Sequence, residues 1–174
     1  MLYVVRHGET DWNVQRRVQG RTNIKLNANG VRQAEELAKH TKKLPIDVCI
    51  CSPLDRAAQT AKIIFDGETI FDDRLLERYY GEIEGKWPKE WAGAWRIHNP
   101  VEVAFESVLS VYSRVKDILD EIRTKYAGKN VLIVAHGGVI ICIRAYFEGI
   151  PESGDLHDLP KTGNCEILSY QLKG

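Results

Sequence analysis

Two histidines of this 174-residue chain share a local setting: Val4-Val5-Arg6-His7-Gly8 near the start and Ile133-Val134-Ala135-His136-Gly137 far downstream. Each ends a short apolar run that reads as a buried strand emptying into a loop. Both imidazoles are therefore expected to reach one crevice. Glycine after each histidine permits a tight turn and brings backbone N–H groups close to an anion. Arg6 adds a planar fork of donors matched to phosphate oxygens. Arg56 lies just inside the helix that follows Cys51-Ser52-Pro53, so it can point into the same crevice near that helix's positive end. Two arginines and two histidines describe a trap for an oxyanion.

The chemistry that such a trap serves is phosphoryl transfer. A neutral imidazole can attack phosphorus if one ring nitrogen is free, which is arranged when the other donates to a carbonyl or carboxylate. The transfer itself depends mainly on positioning and on neutralising charge at the equatorial oxygens, which the arginines supply. The leaving oxygen then needs a proton, and a nearby carboxyl group can provide it. Glu77, in Leu75-Leu76-Glu77-Arg78-Tyr79-Tyr80-Gly81, is the candidate, with Glu82 as second choice. Either His-Gly turn alone reads as an ordinary loop; the combination with Arg6, Arg56 and Glu77 is what points to chemistry.

The elements that must position these groups alternate along the chain. Leu2 to Val5 reads as a strand, and a helix follows from about 28 to 42 with Asn27 as N-cap. Asp47 to Ser52 reads as a second strand, and Pro53 opens a helix that runs through Ile64. The stretch 66–105 is irregular, rich in glycine and tryptophan, and reads as a cap-like insertion. A long helical stripe from Val103 to Tyr126 is closed by Gly128. A third strand ends at His136, a helix continues to about Phe147, and Asn164 to Leu172 is a final strand. The pattern predicts an α/β three-layer sandwich with a mostly parallel central sheet and helices on both faces. In such sheets the active site lies at the carboxyl ends of the strands.

Composition narrows the function further. A mass of 19.8 kDa fits one domain, 1–174, whose folding should bury roughly 70% of the surface of the unfolded chain. Lys plus Arg equals Asp plus Glu at 24 each, so no global field draws in a polyanion and nucleic-acid binding is not expected. The arginine and histidine cluster is then a local positive focus. The longest apolar stretches, Val131 to Ala135 and Val139 to Ile143, are far too short to span a membrane. No leader-like order of segments opens the chain, and a cytoplasmic location is expected. The four cysteines read as buried free thiols. Cys49 and Cys51 are read as facing opposite sides of their strand, so packing rather than metal binding is expected. Trp87, Trp91 and Trp95 recur every four residues, which would make one helical face used for packing. His40, His98 and His157 match no motif and are given no role.

Taken together, the motifs resemble the histidine phosphatase superfamily, also called phosphoglycerate-mutase-like. The resemblance is carried by Arg6-His7-Gly8-Glu9-Thr10-Asp11-Trp12-Asn13, Gln19-Gly20-Arg21-Thr22 and Ser52-Pro53-Leu54-Asp55-Arg56-Ala57-Ala58-Gln59-Thr60. It continues through Leu75 to Gly85, Phe105-Glu106-Ser107 and Ala135-His136-Gly137-Gly138, so it covers most of the chain in order and spacing. It implies His7 as the transiently phosphorylated nucleophile, Arg6, Arg56 and His136 as the phosphate pocket, and Glu77 as the proton donor. Family position, not spacing, favours Glu77 over Glu82. Asn13, Gln19, Gly20 and Gly137 are implied as pocket-lining residues. No metal and no cofactor is implied.

Within that family the sequence favours transfer to water over transfer to another hydroxyl. Gln19-Gly20-Arg21-Thr22 and His136-Gly137-Gly138-Val139 are phosphatase-like, where mutases tend toward Thr-Gly-Trp and His-Gly-Asn-Ser. Pro88 stands where mutases carry a lysine, although Glu77-Arg78-Tyr79-Tyr80-Gly81 is mutase-like and Lys86 could substitute. The expected partner is a small phosphorylated metabolite, with α-ribazole phosphate, sugar phosphates and nucleotides as candidates; oligomeric state is not legible. A phosphoglycerate mutase and a phosphate-binding module without turnover are the alternatives.

Overall fold

The computed structural model of the chain describes residues 1–87 and 105–172. Five strands form one sheet in the order β3-β2-β4-β1-β5: β1 (Leu2–Arg6), β2 (Val48–Cys51), β3 (Thr69–Phe71), β4 (Val131–Ala135) and β5 (Ile167–Tyr170). Neighbours are parallel except β5, which runs antiparallel to β1 at the edge. The predicted α/β sandwich with a mostly parallel sheet is thus the observed architecture.

Alternation along the strands divides the core into two layers. Val5, Cys49, Cys51, Leu132 and Val134 face α2 (Ala28–Thr41) and α3 (Asp55–Ile64), meeting Ala34, Leu37, Ala57 and Ala61. Leu2, Val4, Ile50, Val131, Ile133 and Ala135 face α4 (Val108–Lys125) and α5 (Gly137–Glu148). Every residue of β4 is buried, which is why its sequence is a continuous apolar run rather than an alternating one. Cys49 and Cys51 corrects one expectation: residues two apart on a strand share a face, and both thiols turn toward α2 and α3. All four cysteines are free, with Cys165 only partly buried.

Helix boundaries follow their caps. Asn27 accepts from the Gly30 N–H (2.8 Å) and starts α2 where the sequence places it. Pro53 stands outside α3, which begins at Asp55. Ser107 accepts from Ser110 N–H (3.0 Å), so α4 starts at Val108, later than the apolar stripe suggested. The predicted last strand is shorter, and Asn164 lies in the loop before it. A four-residue helix, α1 (Asp11–Val14), is an addition: Thr10 and Asn13 close a capping box at its start.

The described part of the insertion carries more regular structure than its sequence suggested, namely β3 and 3-10 turns at Asp73–Leu75 and Gly81–Ile83. Trp91, Trp95 and His98 lie outside the described residues. The Trp87 indole N–H donates to the Gln15 carbonyl (3.1 Å), and the Arg17 guanidinium lies 4.4 Å over its ring. His40 is exposed, and His157 is half-buried with Nδ1 2.9 Å from Asp155 Oδ1. Among the described residues no helix is long and apolar enough to cross a membrane.

Candidate active site

Strand register brings the two histidines together. Arg6 pairs with Ala135 across β1 and β4, so His7 and His136 leave the sheet side by side, and the His7 N–H donates to Ala135 O (3.0 Å). Their ring centroids are 5.2 Å apart. The two imidazoles expected to share a crevice do so.

Each ring's hydrogen-bond partners determine its tautomer. His7 Nδ1 lies 2.7 Å from the Gly8 carbonyl, which can only accept, so Nδ1 carries the proton and Nε2 keeps a free lone pair. The turn beneath it is pinned by Gly8 N–H to Thr60 Oγ1 (3.0 Å) and by Asn164 Nδ2 to His7 O (2.8 Å). At His136 the assignment is reversed. Arg56 Nε donates to Nδ1 (3.2 Å), so the proton sits on Nε2 and is donated to Ser52 Oγ (2.7 Å).

Arg56 is wholly buried, and its guanidinium also donates to Thr22 O (2.9 Å) and Gly20 O (2.7 Å). Arg6 is anchored by Nη1 to Thr162 O (2.7 Å), while its buried Nε has no partner among the described residues. An anion placed against Arg6 Nε would give that N–H a charge-assisted acceptor. Glu77 Oε1 accepts from Arg78 N–H (2.8 Å), and Oε2 accepts from Gly138 N–H (3.1 Å) in the first turn of α5. A Cβ at 138 would lie 2.5 Å from Glu77 Oε1, so a side chain there would displace the Glu77 carboxylate from its present position.

Around this centre stand the other predicted residues. Gly137 passes the Arg6 guanidinium, with its Cβ position 3.9 Å from Nε. Asn13 Oδ1 accepts from Thr10 N–H (3.1 Å), and Gln19 Oε1 lies 3.0 Å from Thr10 Oγ1. Gly20, at φ +51°, presents its carbonyl to Arg56, and a side chain there would run into Glu84. All nine predicted site residues therefore surround one locus or brace its wall.

Sequence reasoning missed the supports. Glu84, not Glu82, ties the 20–22 loop by accepting from the N–H groups of Arg21 (3.0 Å) and Thr22 (2.8 Å). Glu106 receives Arg114 Nε (2.8 Å) and Arg21 Nη2 (3.1 Å), and Arg21 Nε reaches the Glu77 carbonyl (3.1 Å). Ser52 and Thr60 sat in a quoted motif without a role. Thr162 and Asn164 carried no signal, because their loop reaches Arg6 and His7 from the far end of the chain, brought there by the antiparallel pairing of β5 with β1. Among the described residues no three His, Cys, Asp or Glu side chains are grouped to hold a metal ion.

Burial, then the charges of Arg56 and Arg6, holds His7 well below the usual imidazole range. Burial and Arg56 do the same for His136, with His7 and Arg6 adding to it. Burial also lowers Arg56 to about 10, which leaves it charged at neutral pH. Both rings are thus uncharged between two cations. In each case the folded value is depressed, so the unfolded chain binds more protons below pH 6.5 and stability falls as the pH drops from there toward the folded value. Each histidine contributes a slope approaching about 1.4 kcal/mol per pH unit in that window. Urea midpoints between pH 7 and 5 should therefore fall more steeply for the native chain than for His136→Gln; equal slopes would contradict two neutral buried rings.

The sequence profile of the histidine phosphatase superfamily (branch 1) matches residues 2–174. The Bacillus subtilis "Uncharacterized phosphatase PhoE" is 38% identical over 149 residues, 84% of this chain and 76% of that protein. The Escherichia coli "Probable phosphoglycerate mutase GpmB" is 35% identical over 184 residues, covering 98% and 85%. Among solved structures, a mycobacterial glucosyl-3-phosphoglycerate phosphatase complexed with VO3 superposes with a TM-score of 0.84 at 27% identity, covering 95% and 90%. The chain belongs to the histidine phosphatase superfamily, branch 1. As an enzyme it falls in that superfamily's phosphatase class.

Proposed function

We propose that this chain hydrolyses the phosphomonoester of a small metabolite, without a metal, through a phosphohistidine on His7. The observation that carries the reading is the free Nε2 of His7, with Nδ1 committed to the Gly8 carbonyl, beside the unpartnered Nε of Arg6. The ester's phosphoryl group enters between Arg6 and Arg56, whose charges match a dianion. His7 Nε2 attacks phosphorus in line as the bond to the alkoxide oxygen breaks. Glu77 gives that oxygen its proton, then takes one from the water that attacks the phosphohistidine. His7 emerges neutral, and the products are an alcohol and inorganic phosphate.

Water is favoured over a second sugar-acid hydroxyl as acceptor because glycine stands at 138, next to the Glu77 carboxylate, where mutases tend to carry asparagine. Names of the relatives point to phosphorylated hydroxy acids and sugars; α-ribazole phosphate is a further candidate. We read 1–174 as one domain capped by the 66–105 segment, and four unpaired cysteines support a cytoplasmic setting.

A panel of phosphorylated metabolites, assayed for phosphate release with excess chelator present, tests the reading directly. Isomerisation of 3-phosphoglycerate with only slow phosphate release would instead support the mutase. Binding without any turnover would support the regulatory module. Glu77→Gln should lower kcat/KM for alkyl phosphates by about 10²- to 10³-fold. With p-nitrophenyl phosphate, whose leaving group needs no proton, the same variant should show a nitrophenol burst of one per site followed by slow turnover. Equal losses on both substrates without a burst would remove Glu77 from the proton-transfer role.

A further inference from the structure

His136 presents a problem that the phosphate pocket must solve. Both of its ring nitrogens are taken within the protein: Nδ1 accepts from Arg56 Nε (3.2 Å), and Nε2 donates to Ser52 Oγ (2.7 Å). The edge that faces Arg56 carries a lone pair, and in the phosphate-pocket reading it is the edge turned to the anion. A phosphate oxygen placed there would meet that lone pair and be repelled. Either the ring gains a second proton or its single proton changes nitrogen.

The surroundings favour the second course. His136 and Ser52 are both wholly buried, so a charged ring would lack solvation. Arg6 and Arg56 already balance a phosphate dianion, and a third cation would be in excess. The partner on Nε2 is decisive. A carboxylate or carbonyl there could only accept, and would lock the proton on Nε2. A hydroxyl both accepts and donates, so Ser52 can satisfy Nε2 in either tautomer by rotating its O–H.

We propose that Ser52 is a positioning residue that lets His136 exchange tautomers when the anion binds. In the empty site Nε2–H points to Ser52 Oγ. In the filled site Ser52 O–H points to Nε2, and Nδ1–H points to a phosphate oxygen, while Arg56 Nε turns from Nδ1 to the anion. One proton leaves Nε2 for solvent and one arrives at Nδ1 from solvent. The ring stays neutral and Ser52 keeps its proton. This rests on reading the site as a phosphate pocket, and it explains why the second histidine, unlike His7, is paired with a hydroxyl.

The test is ¹⁵N NMR of histidine-labelled protein at pH 8.5, where orthophosphate is the dianion, with and without orthophosphate. His136 is assigned from the signals that vanish in His136→Gln. The expected result is a protonated-type Nε2 with free-type Nδ1 in the empty protein and the reverse once orthophosphate binds. A pH-stat titration should register no net proton uptake. Two protonated-type nitrogens with uptake of about one proton, or an unchanged Nε2–H, overturns the proposal even if phosphate esters are hydrolysed. No orthophosphate binding at all, with no hydrolysis, overturns the phosphate-pocket reading and this inference with it. Ser52→Ala should weaken orthophosphate binding about tenfold, and Ser52→Thr, which keeps the hydroxyl, should recover it. If both variants misfold, the spectra of the native chain still decide.

Discussion

His7→Ala is expected to abolish turnover, lowering kcat by about 10⁵-fold or more, because no other group can take the phosphoryl from the ester. Thr60, Asn164 and the Gly8 backbone hold the ring with Nδ1 protonated and Nε2 bare, and no second nucleophile stands at that point of the site. His136 cannot substitute, since its Nε2 faces Ser52 and its Nδ1 faces Arg56. Quenching the native enzyme with labelled substrate should trap an acid-labile, base-stable adduct, and the variant should trap none. An adduct that persists in His7→Ala would refute His7 as the nucleophile. Orthophosphate should still bind the variant, because both arginines remain. The variant should also lose part of the acid destabilisation between pH 6.5 and 5, as one neutral buried ring is gone.

Substitution of Arg56 should harm chemistry and folding together. Its guanidinium ties α3 to two other pieces of chain through three acceptors: His136 at the end of β4, and the Gly20 and Thr22 carbonyls of the loop ahead of α2. Arg56→Ala removes one of two charges facing the phosphate and leaves those acceptors without their donor. We expect kcat/KM to fall by about 10³-fold. A loss of about 2–4 kcal/mol in stability should accompany it, read from urea unfolding. Arg56→Lys should recover little, because a single ammonium cannot reach three divergent acceptors while also facing an anion. Full activity in Arg56→Lys would show that charge alone suffices at this position and that the fork geometry does not matter.

The histidine and arginine cluster was legible because its members sit at strand ends that apolar runs announce. Leu2 to Val5 and Val131 to Ala135 read as buried strands, and the residues following them are where a parallel sheet exposes its ligands. The helices α2 and α4 were legible for a similar reason, since one apolar face repeats along each. Strand β3 was not, because its three residues are mostly exposed and carry no alternation. The short helix α1 rests on a capping box and buries nothing, so it left no periodic trace. Cys49 and Cys51 show that a correct element still needs the correct period: the strand was found, yet its facing was misread.

Local patterning and motif order along the chain were enough to indicate the class of fold and the family, because strand ends, helix caps and motifs are each written in neighbours a few positions apart. The tertiary structure alone decided how the site residues are wired. Which nitrogen of each histidine holds the proton, which donor of Arg6 is left without a partner, and that Glu84 and Glu106 brace the walls around Glu77 all follow from contacts between segments far apart in sequence. Hydrogen bonds depend on distances of a few tenths of an ångström and on the direction of lone pairs. Those quantities arise only when the strands, helices and return loop have packed.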